Sequence, residues 1–387
     1  MLPEKLMLKL KQRKLEGNLR ALKATGDLID FSSNDYLGLA KTLQVEPSKT
    51  HGATGSRLIT GHTNLHTTVE KQIAAFHDVP AALLFNSGYD ANLGLIPAMT
   101  DRNDLILYDE LVHASIRDGI QLSQAKSLKF KHNDLDHLQM LLEKHDLNGT
   151  GDIYIITESV FSMDGDVPDL KRLVALVQKR EHVHIILDEA HALGVIGTNG
   201  VGLAQELGLQ DAILARVVTF GKALGSHGAA VLGSEDLKAY LLNFARSFIY
   251  TTALPEHSLH CIAAGYDVLQ AGQAPVALLQ NRIKLYVETA SKLGIPTGNE
   301  FVSERFRESE LPNNIYLTAI QTVLIPGNEN AKRAAQKMQE GGYDIRAILS
   351  PTVPAGKERL RICLHAYNDH DDIVNMLNLL AKTFKAS

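Results

Sequence analysis

Residues 217–226 read Val217-Val218-Thr219-Phe220-Gly221-Lys222-Ala223-Leu224-Gly225-Ser226, a short apolar run followed by a glycine-rich turn that carries one lysine. The β-branched residues at its start are typical of a buried strand. The glycines allow a cofactor to approach the backbone, and a lysine in a partly dry pocket can form a Schiff base. Taken alone, the pattern more often marks a surface lysine in a loop. A phosphate-binding P-loop is excluded because its glycine spacing is absent before Lys222.

Similar apolar runs alternate with helix-length segments on both sides of this stretch. The candidate strands are 82–85, 105–108, 127–130, 153–157, 184–187, 216–220 and 229–232. This alternation predicts an α/β fold with a mostly parallel central sheet flanked by helices. In open sheets of this kind ligands bind at the carboxyl ends of the strands, so we expect the chemistry at that edge.

The pattern changes after about residue 254 and predicts a second, smaller α+β domain. Its expected elements are strands at 322–325 and 360–364, a helix that opens at Asn330, and a terminal helix. The terminal helix has an apolar stripe that we interpret as core, formed by Ile373, Met376, Leu377, Leu380 and Phe384. We expect an N-terminal arm at 1–40, a large cofactor-binding domain at 41–260 and a small C-terminal domain at 261–387.

Composition excludes several classes of function. The net charge is −5 and the basic residues are scattered, which argues against nucleic-acid binding. No apolar run approaches the about 20 residues of a membrane-spanning helix, and residues 1–17 lack the features of a signal peptide. We expect this N-terminal segment to be a helix packed on the body or on a partner subunit, and a cytoplasmic location. Cys261 and Cys363 have no metal-ligand spacing, so no metal site is expected. A nicotinamide-dependent dehydrogenase is disfavoured because no glycine fingerprint joins a first strand to a helix.

A carboxylate and an imidazole follow the strand at 184–187, in Leu187-Asp188-Glu189-Ala190-His191. A carboxylate at a strand end can hold the protonated pyridine nitrogen of pyridoxal phosphate and keep the ring an electron acceptor. Asp188 could equally cap a helix or bind a metal, and His191 could be an ordinary buried histidine.

Three other strand ends carry candidate residues. Ser87 and Gly88 stand in a polar turn before a helix expected to begin near Asn92, where backbone N–H groups can bind a phosphate, although such turns are common. His113 could stack on a planar cofactor ring, and Ser162 could bind the phenolic oxygen of that ring. A role in a local turn or helix cap is about as common for each of these two residues.

Two arginines lie on the predicted strand at 360–364 and its margin. We expect Arg359 and Arg361 to point to opposite faces, so that one of them can bind a substrate carboxylate through its planar guanidinium.

The ensemble closely resembles the α-oxoamine synthase family, pyridoxal-phosphate enzymes of fold type I that join an amino acid to an acyl thioester. The resemblance runs over nearly the whole chain. It rests on the segments 33–39 (SNDYLGL), 55–58 (GSRL), 87–89 (SGY), 160–166 (VFSMDGD), 188–191 (DEAH) and 219–222 (TFGK). It implies the type I transferase fold and a homodimer with shared active sites.

The same resemblance implies roles for individual residues. Lys222 would attach pyridoxal 5'-phosphate covalently and move protons, Asp188 would pair with the ring nitrogen, and His113 would stack on the ring and act as an acid near the thioester carbonyl. The remaining cofactor contacts implied are Ser87, Gly88, Tyr89, Ser162, His191, Thr219 and, from the second subunit, Thr251. Substrate contacts are implied for Asn34, Arg361, Arg359 and Thr352.

The implied reaction is a decarboxylative condensation of an amino acid with an acyl thioester carried by coenzyme A or a carrier protein. The resemblance is greatest to members that join L-alanine to a pimeloyl thioester in biotin synthesis. Members that join glycine to an acetyl thioester are the alternative within the family. A catalytically silent binding or regulatory subunit of the same fold is the alternative of another class.

Overall fold

A computed structural model describes residues 2–22, 26–45, 47–48, 50–145, 151–272, 274–296 and 317–385, and the side chains of 274, 384 and 385 are outside this description. The chain forms two compact units. The larger comprises Asn34–Ser162 and Asp166–Leu278, and the smaller comprises Met1–Ser33, Met163–Gly165 and Leu279–Ser387. The arm and two domains expected from the sequence stay a prediction.

Strands and helices alternate along most of the larger unit and continue into the smaller one. The strands are β1 Ile29–Asp30, β2 Ala81–Phe85, β3 Leu105–Asp109, β4 Lys126–Phe130, β5 Ile153–Glu158, β6 Val183–Asp188, β7 Ala215–Thr219, β8 Ala229–Gly233, β9 Ile320–Leu324, β10 Tyr343–Asp344, β11 Arg346–Ile348 and β12 Arg359–Cys363. The α-helices are α1 Glu4–Leu15, α2 Leu39–Thr42, α3 Asn64–Phe76, α4 Gly88–Met99, α5 Ala114–Leu122, α6 Leu135–Lys144, α7 Leu170–Val177, α8 Leu203–Glu206, α9 Glu235–Phe244, α10 Arg246–Ile249, α11 Glu256–Gln270, α12 Ala274–Leu293, α13 Asn328–Glu340 and α14 His370–Lys385.

The larger unit contains a seven-stranded sheet in the order β2-β8-β7-β6-β5-β3-β4. Strands β4, β3, β5, β6 and β7 are mutually parallel, whereas β8 runs antiparallel to both of its neighbours. Strands β2 and β7 are buried along their whole length, as expected for apolar runs covered on both faces. The edge strand β4 is partly exposed and carries Lys126 and Lys129, which discourage pairing with another chain. The predicted α/β fold with a mostly parallel sheet is confirmed.

Polar residues end four of the five parallel strands at one edge of this sheet. Asp109 ends β3, Glu158 ends β5, Asp188 ends β6 and Thr219 ends β7. The register pairs Glu158 with Asp188, so two carboxyl groups lie side by side on adjacent strands. This edge is where an α/β sheet binds ligands.

A buried ion pair lies just behind this edge. Arg216 donates from Nε to Glu189 Oε2 at 2.7 Å, and the two side chains are 1% and 0% exposed. We expect Arg216→Leu to lower the free energy of unfolding by about 3–5 kcal/mol, because it leaves the Glu189 charge buried without its partner. Urea unfolding followed by circular dichroism measures the change.

The matched control breaks an exposed pair. Lys284 and Glu288 are 3.9 Å apart with side chains 72% and 52% exposed, so Lys284→Ala should change stability by about 0.5 kcal/mol or less. Equal losses in the two variants would show that burial of Arg216 does not matter.

The smaller unit contains an antiparallel sheet in the order β11-β12-β9 and the parallel pair β1-β10. Helix α13 begins at Asn328, two residues before the predicted start at Asn330. The expected apolar stripe of α14 is buried at Ile373, Met376, Leu377 and Leu380. Phe384 lies outside the described side chains.

Helix α1 forms where a helix was expected, but none of its residues is buried in the described chain. Packing of this segment on the body of the chain or on a partner subunit stays a prediction. Among the described residues, we find no helix with an apolar stretch long enough to cross a membrane.

Candidate active site

A cavity of about 290 Å³ opens at the carboxyl edge of the seven-stranded sheet. Nine residues singled out from the sequence line it: Asn34, Ser87, Gly88, Tyr89, His113, Asp188, His191, Thr219 and Lys222. The other lining residues are Asn92, Ser115, Glu158, Ala190, Gly221, His227 and Gly228. All of them belong to the larger unit.

One wall of the cavity is the start of helix α4. The helix begins at Gly88, four residues before the position expected from the sequence, because Ser87 caps it by accepting a hydrogen bond from the Asp90 N–H at 3.0 Å. A Cβ on Gly88 would lie 2.5 Å from Thr219 Cγ2, so only glycine fits there. The first-turn N–H groups of a helix have no partner within the helix. This wall can therefore receive an anion.

Asp188 is held in place by two hydrogen bonds. Its Oδ2 accepts from Asn92 Nδ2 at 2.9 Å, and its Oδ1 accepts from the Ala190 N–H at 2.9 Å. The side chain is only 7% exposed. Asp188 thus presents a fixed carboxylate at the end of β6.

Lys222 stands in a tight turn after β7. The turn is closed by hydrogen bonds from the Gly225 N–H to the Lys222 carbonyl and from the Ser226 N–H to the Phe220 carbonyl. Gly225 has a φ of 57°, and a Cβ there would collide with the backbone of Ala40. Lys222 lines the same cavity as His113 and Glu158. The glycines thus fix the turn that presents the lysine.

His113 caps helix α5 with its own ring. Its backbone N–H donates to Glu158 Oε1 at 2.5 Å, and its Nδ1 accepts from the Ser115 N–H at 3.2 Å. Burial lowers the pKa of His113, an effect that the nearby Asp188 carboxylate partly opposes. The capping role considered from the sequence is therefore present, together with a position on the cavity wall.

Glu158 was missed in the sequence. Burial, followed by the neighbouring Asp188 charge, raises the pKa of Glu158 well above its usual range. The residue directly follows the predicted strand at 153–157, so its place at the carboxyl end was the available signal. Asn92 and Ser115 were also missed, and no local pattern distinguishes them.

Tyr36 links two of the predicted residues. Its hydroxyl lies 2.7 Å from His191 Nδ1 and 3.2 Å from Asn34 Oδ1. Tyr36 is completely buried, and His191 is 6% exposed. The tyrosine therefore orients the imidazole and the amide together.

Ser162 and Thr251 do not line this cavity. Thr251 Oγ1 accepts from Asn86 Nδ2 at 3.0 Å, next to the Ser87 cap. Tyr89 lines the cavity and donates its hydroxyl to Asp118. The structure thus brings together most of the predicted cofactor contacts, but not these two.

Arg359, Arg361 and Thr352 belong to the smaller unit. The two arginines are two residues apart on the regular strand β12, so they share a face, and the expectation of opposite faces was wrong. Arg359 is already ion-paired with Asp164. Its guanidinium is therefore occupied within its own unit.

Another histidine of the larger unit, His132, lies between two carboxylates. His132 Nδ1 lies 3.0 Å from Asp109 Oδ1, and His132 Nε2 lies 2.8 Å from Asp166 Oδ2. Burial alone would lower the pKa of His132, but hydrogen bonds to Asp109 and Asp166 raise it to about 10. The folded protein therefore keeps a proton that the unfolded chain releases near pH ~6.5.

This difference predicts how stability depends on pH. The protonated His132 stabilises the fold fully at pH values below its pKa in the unfolded chain. This stabilisation is lost as pH rises toward the pKa of His132 in the folded protein. We expect the stability difference between wild type and His132→Asn to shrink by on the order of 3 kcal/mol between about pH 7 and pH 10. Urea unfolding at several pH values measures it. A difference that is constant with pH would contradict the ionised bridge.

The residues of the cavity fit pyridoxal phosphate. A lysine suits the aldehyde, a fixed carboxylate suits the ring nitrogen, and a helix start that admits only glycine suits the phosphate. The chemistry of this donor set matches the aldehyde, the ring nitrogen and the phosphate of the cofactor. An imidazole also lies on the wall beside them.

Comparison with known proteins places the chain in a family. The model for aminotransferase class I and II matches residues 26–380. An Emericella nidulans protein named 8-amino-7-oxononanoate synthase is 40% identical, over 91% of this chain and 88% of its own length. A Pasteurella multocida protein, provisionally given the same name, is 38% identical over 88% of this chain and 86% of its own length.

Solved structures agree in fold. The 8-amino-7-oxononanoate synthase of Francisella tularensis is 30% identical with a TM-score of 0.76, covering 93% of this chain and 98% of that one. The serine palmitoyltransferase of Sphingomonas wittichii shares the fold with a TM-score of 0.85 at 24% identity, covering 99% and 97% of the two chains. The chain therefore belongs to the aminotransferase class I and II family, and within it to the α-oxoamine synthases.

Proposed function

We propose that this chain is a pyridoxal-phosphate enzyme that joins L-alanine to a pimeloyl thioester, releasing carbon dioxide and the thiol, to give 8-amino-7-oxononanoate for biotin synthesis. The observation that carries the chemistry is a single cavity lined by Lys222, Asp188 and His113. The choice of substrates is supported by relatives that carry this name, one of them 40% identical over 91% of the chain.

When bound, pyridoxal phosphate supplies an aldehyde that reacts with amines and a ring that accepts the electron pair of an adjacent carbanion. Asp188 would hold the ring nitrogen, and His113 would cover one face of the ring. His191 would bind the phenolic oxygen. The phosphate contacts would be Ser87, Gly88, Tyr89, Thr219 and, from a second copy of the chain, Thr251.

Lys222 is the lysine among the residues that line the cavity. Its amine would attach the cofactor, and after the substrate amine has taken that place it would remove the proton from the substrate Cα. The Cα then bonds to the thioester carbonyl carbon, and the thiolate leaves. After the carboxylate is lost as carbon dioxide, Lys222 returns a proton to the same carbon. His113 would donate a hydrogen bond to the thioester carbonyl oxygen while negative charge develops on it.

The substrate carboxylate needs a fixed cation and an amide. Arg361 and Asn34 would bind it, with Arg359 as the alternative cation. Thr352 would contact substrate as well. We further propose a homodimer with shared sites and a cytoplasmic location.

A thiol-release assay tests the substrates. Alanine, glycine and serine are each incubated with acetyl, succinyl, pimeloyl and palmitoyl thioesters, on coenzyme A and on acyl carrier protein, and the products are identified by mass spectrometry. We expect 8-amino-7-oxononanoate from alanine with a pimeloyl thioester. Activity with glycine and acetyl-CoA alone would overturn the biotin assignment and leave the α-oxoamine chemistry in place.

A further inference from the structure

A chain of hydrogen bonds connects Asp188 to His113 through two residues that have no role in the proposed reaction. Asn92 Nδ2 donates to Asp188 Oδ2 at 2.9 Å and to Ser115 Oγ at 3.0 Å. Asn92 and Ser115 are each 1% exposed. Both hydrogens of the Asn92 amide group are therefore used inside the protein.

The orientation of the Asn92 amide follows from the carboxylate beside it. If the amide were turned over, its oxygen would face Asp188 Oδ2, and two acceptors would meet. The observed orientation leaves Asn92 Oδ1 buried without a hydrogen-bond donor among the described residues, which costs free energy. Asp188 thus dictates which end of the amide reaches Ser115.

The orientation of the Asn92 amide in turn determines how the Ser115 hydroxyl bonds to the His113 imidazole. Since its Oγ accepts from Asn92, its own hydroxyl proton is available for His113 Nδ1, which lies 2.9 Å away. The Ser115 backbone N–H also points at Nδ1, at 3.2 Å. A backbone N–H can only donate, so Nδ1 must present a lone pair, and the ring proton must be on Nε2.

The net effect of burial and of the nearby charges also favours the neutral form of the His113 ring. Burial lowers the pKa of His113, and the charges of Lys222 and Arg117 lower it further, whereas Asp188 and Asp118 raise it. Glu158 also faces this residue, accepting its backbone N–H.

We propose that Asn92 and Ser115 are positioning residues that hold His113 as a neutral imidazole with its proton on Nε2. This rests on the proposed function, in which His113 covers the cofactor and donates a hydrogen bond to the thioester carbonyl oxygen. A neutral ring adds no second positive charge beside Lys222. A proton fixed on Nε2 makes that nitrogen a donor before substrate arrives.

The test is the protonation of the His113 ring in the holoenzyme. Protein labelled with ¹⁵N in histidine is followed by NMR as pH is varied, and His113 is identified by the loss of its signals in His113→Gln. We expect wild type to show a protonated Nε2 and an unprotonated Nδ1 at neutral pH. In Asn92→Asp the Ser115 hydroxyl turns to the new carboxylate, and the added negative charge should raise the pKa of His113 by about one unit or more.

The Ser115 variants provide a matched pair. Ser115→Ala removes the hydroxyl donor and keeps the backbone N–H, so we expect some Nδ1-protonated ring and a kcat lowered by about tenfold with little change in KM. Ser115→Thr keeps the hydroxyl and should restore the wild-type ring signals and most of kcat. A general structural defect would not be repaired in the ring signals by threonine.

Two results would overturn the inference: a wild-type ring protonated on Nδ1, or identical ring signals in wild type, Asn92→Asp and Ser115→Ala. Should Asn92→Asp fail to fold, the two Ser115 variants decide. Failure of the proposed function gives a separate result, because an enzyme that makes no product from alanine and a pimeloyl thioester still reports the tautomer of His113.

Discussion

Lys222→Ala is expected to abolish condensation, lowering kcat by about 10⁴-fold or more, because it removes both the amine that attaches the cofactor and the base that moves the Cα proton. Borohydride reduction of wild type should fix a pyridoxal-phosphate mass on the tryptic peptide that contains Lys222. The variant should show no such mass anywhere in the chain. Peptide mass spectrometry and the thiol-release assay measure the two effects separately.

Two substitutions serve as controls for this loss. Lys222→Arg keeps the positive charge but has no primary amine, so it should be as inactive as the alanine variant. Lys129→Ala removes a lysine whose side chain is 66% exposed on the edge strand β4, and it should behave as wild type. Attachment of the cofactor to another lysine in wild type would overturn the assignment of Lys222.

Asp188→Asn is expected to lower kcat by about 10²–10³-fold and to weaken cofactor binding, because the neutral amide can no longer hold a positive charge at the ring nitrogen. The new amide would also bring an N–H group against the Asn92 amide that now donates to Asp188 Oδ2. Steady-state kinetics at saturating cofactor, together with a titration of cofactor binding, measure the two losses.

Glu158→Gln is the matched control for Asp188→Asn. The two carboxyl groups are neighbours in the sheet register, but burial beside Asp188 raises the pKa of Glu158 well above its usual range. Glutamine reproduces the protonated form and can still accept the His113 N–H, so we expect kcat to fall by less than about tenfold. If the two amides cause equal losses, the role proposed for the Asp188 carboxylate at the ring nitrogen is wrong.

Much of the fold could be predicted because its signals are local. Apolar runs of β-branched residues are typical of buried strands, and the expected strands at 105–108, 184–187 and 229–232 lie within β3, β6 and β8. The apolar stripe of α14 repeats at helical spacing and is buried at Ile373, Met376, Leu377 and Leu380. Where a local signal was ambiguous, as at the Ser87 cap, the helix start was misplaced by four residues.

Part of the cavity was also readable from the sequence. Lys222 follows a strand in a glycine-rich turn, and Asp188 ends a strand, so the rule that ligands bind at the carboxyl ends of strands was enough to select them. The same rule would have selected Glu158, had the strand at 153–157 been extended by one residue.

The sequence by itself determined the α/β class, the strands of the seven-stranded sheet and the positions of Asp188 and Lys222, because strand and helix periods and turn glycines are properties of neighbouring residues. Only the tertiary structure decided the strand order, the pairing of Arg359 with Asp164, and the hydrogen bonds from Asn92 to Asp188 and Ser115. Asn92 and Asp188 are 96 residues apart in the chain. No local pattern encodes such a pair, since the two side chains meet only when helix α4 packs on the sheet.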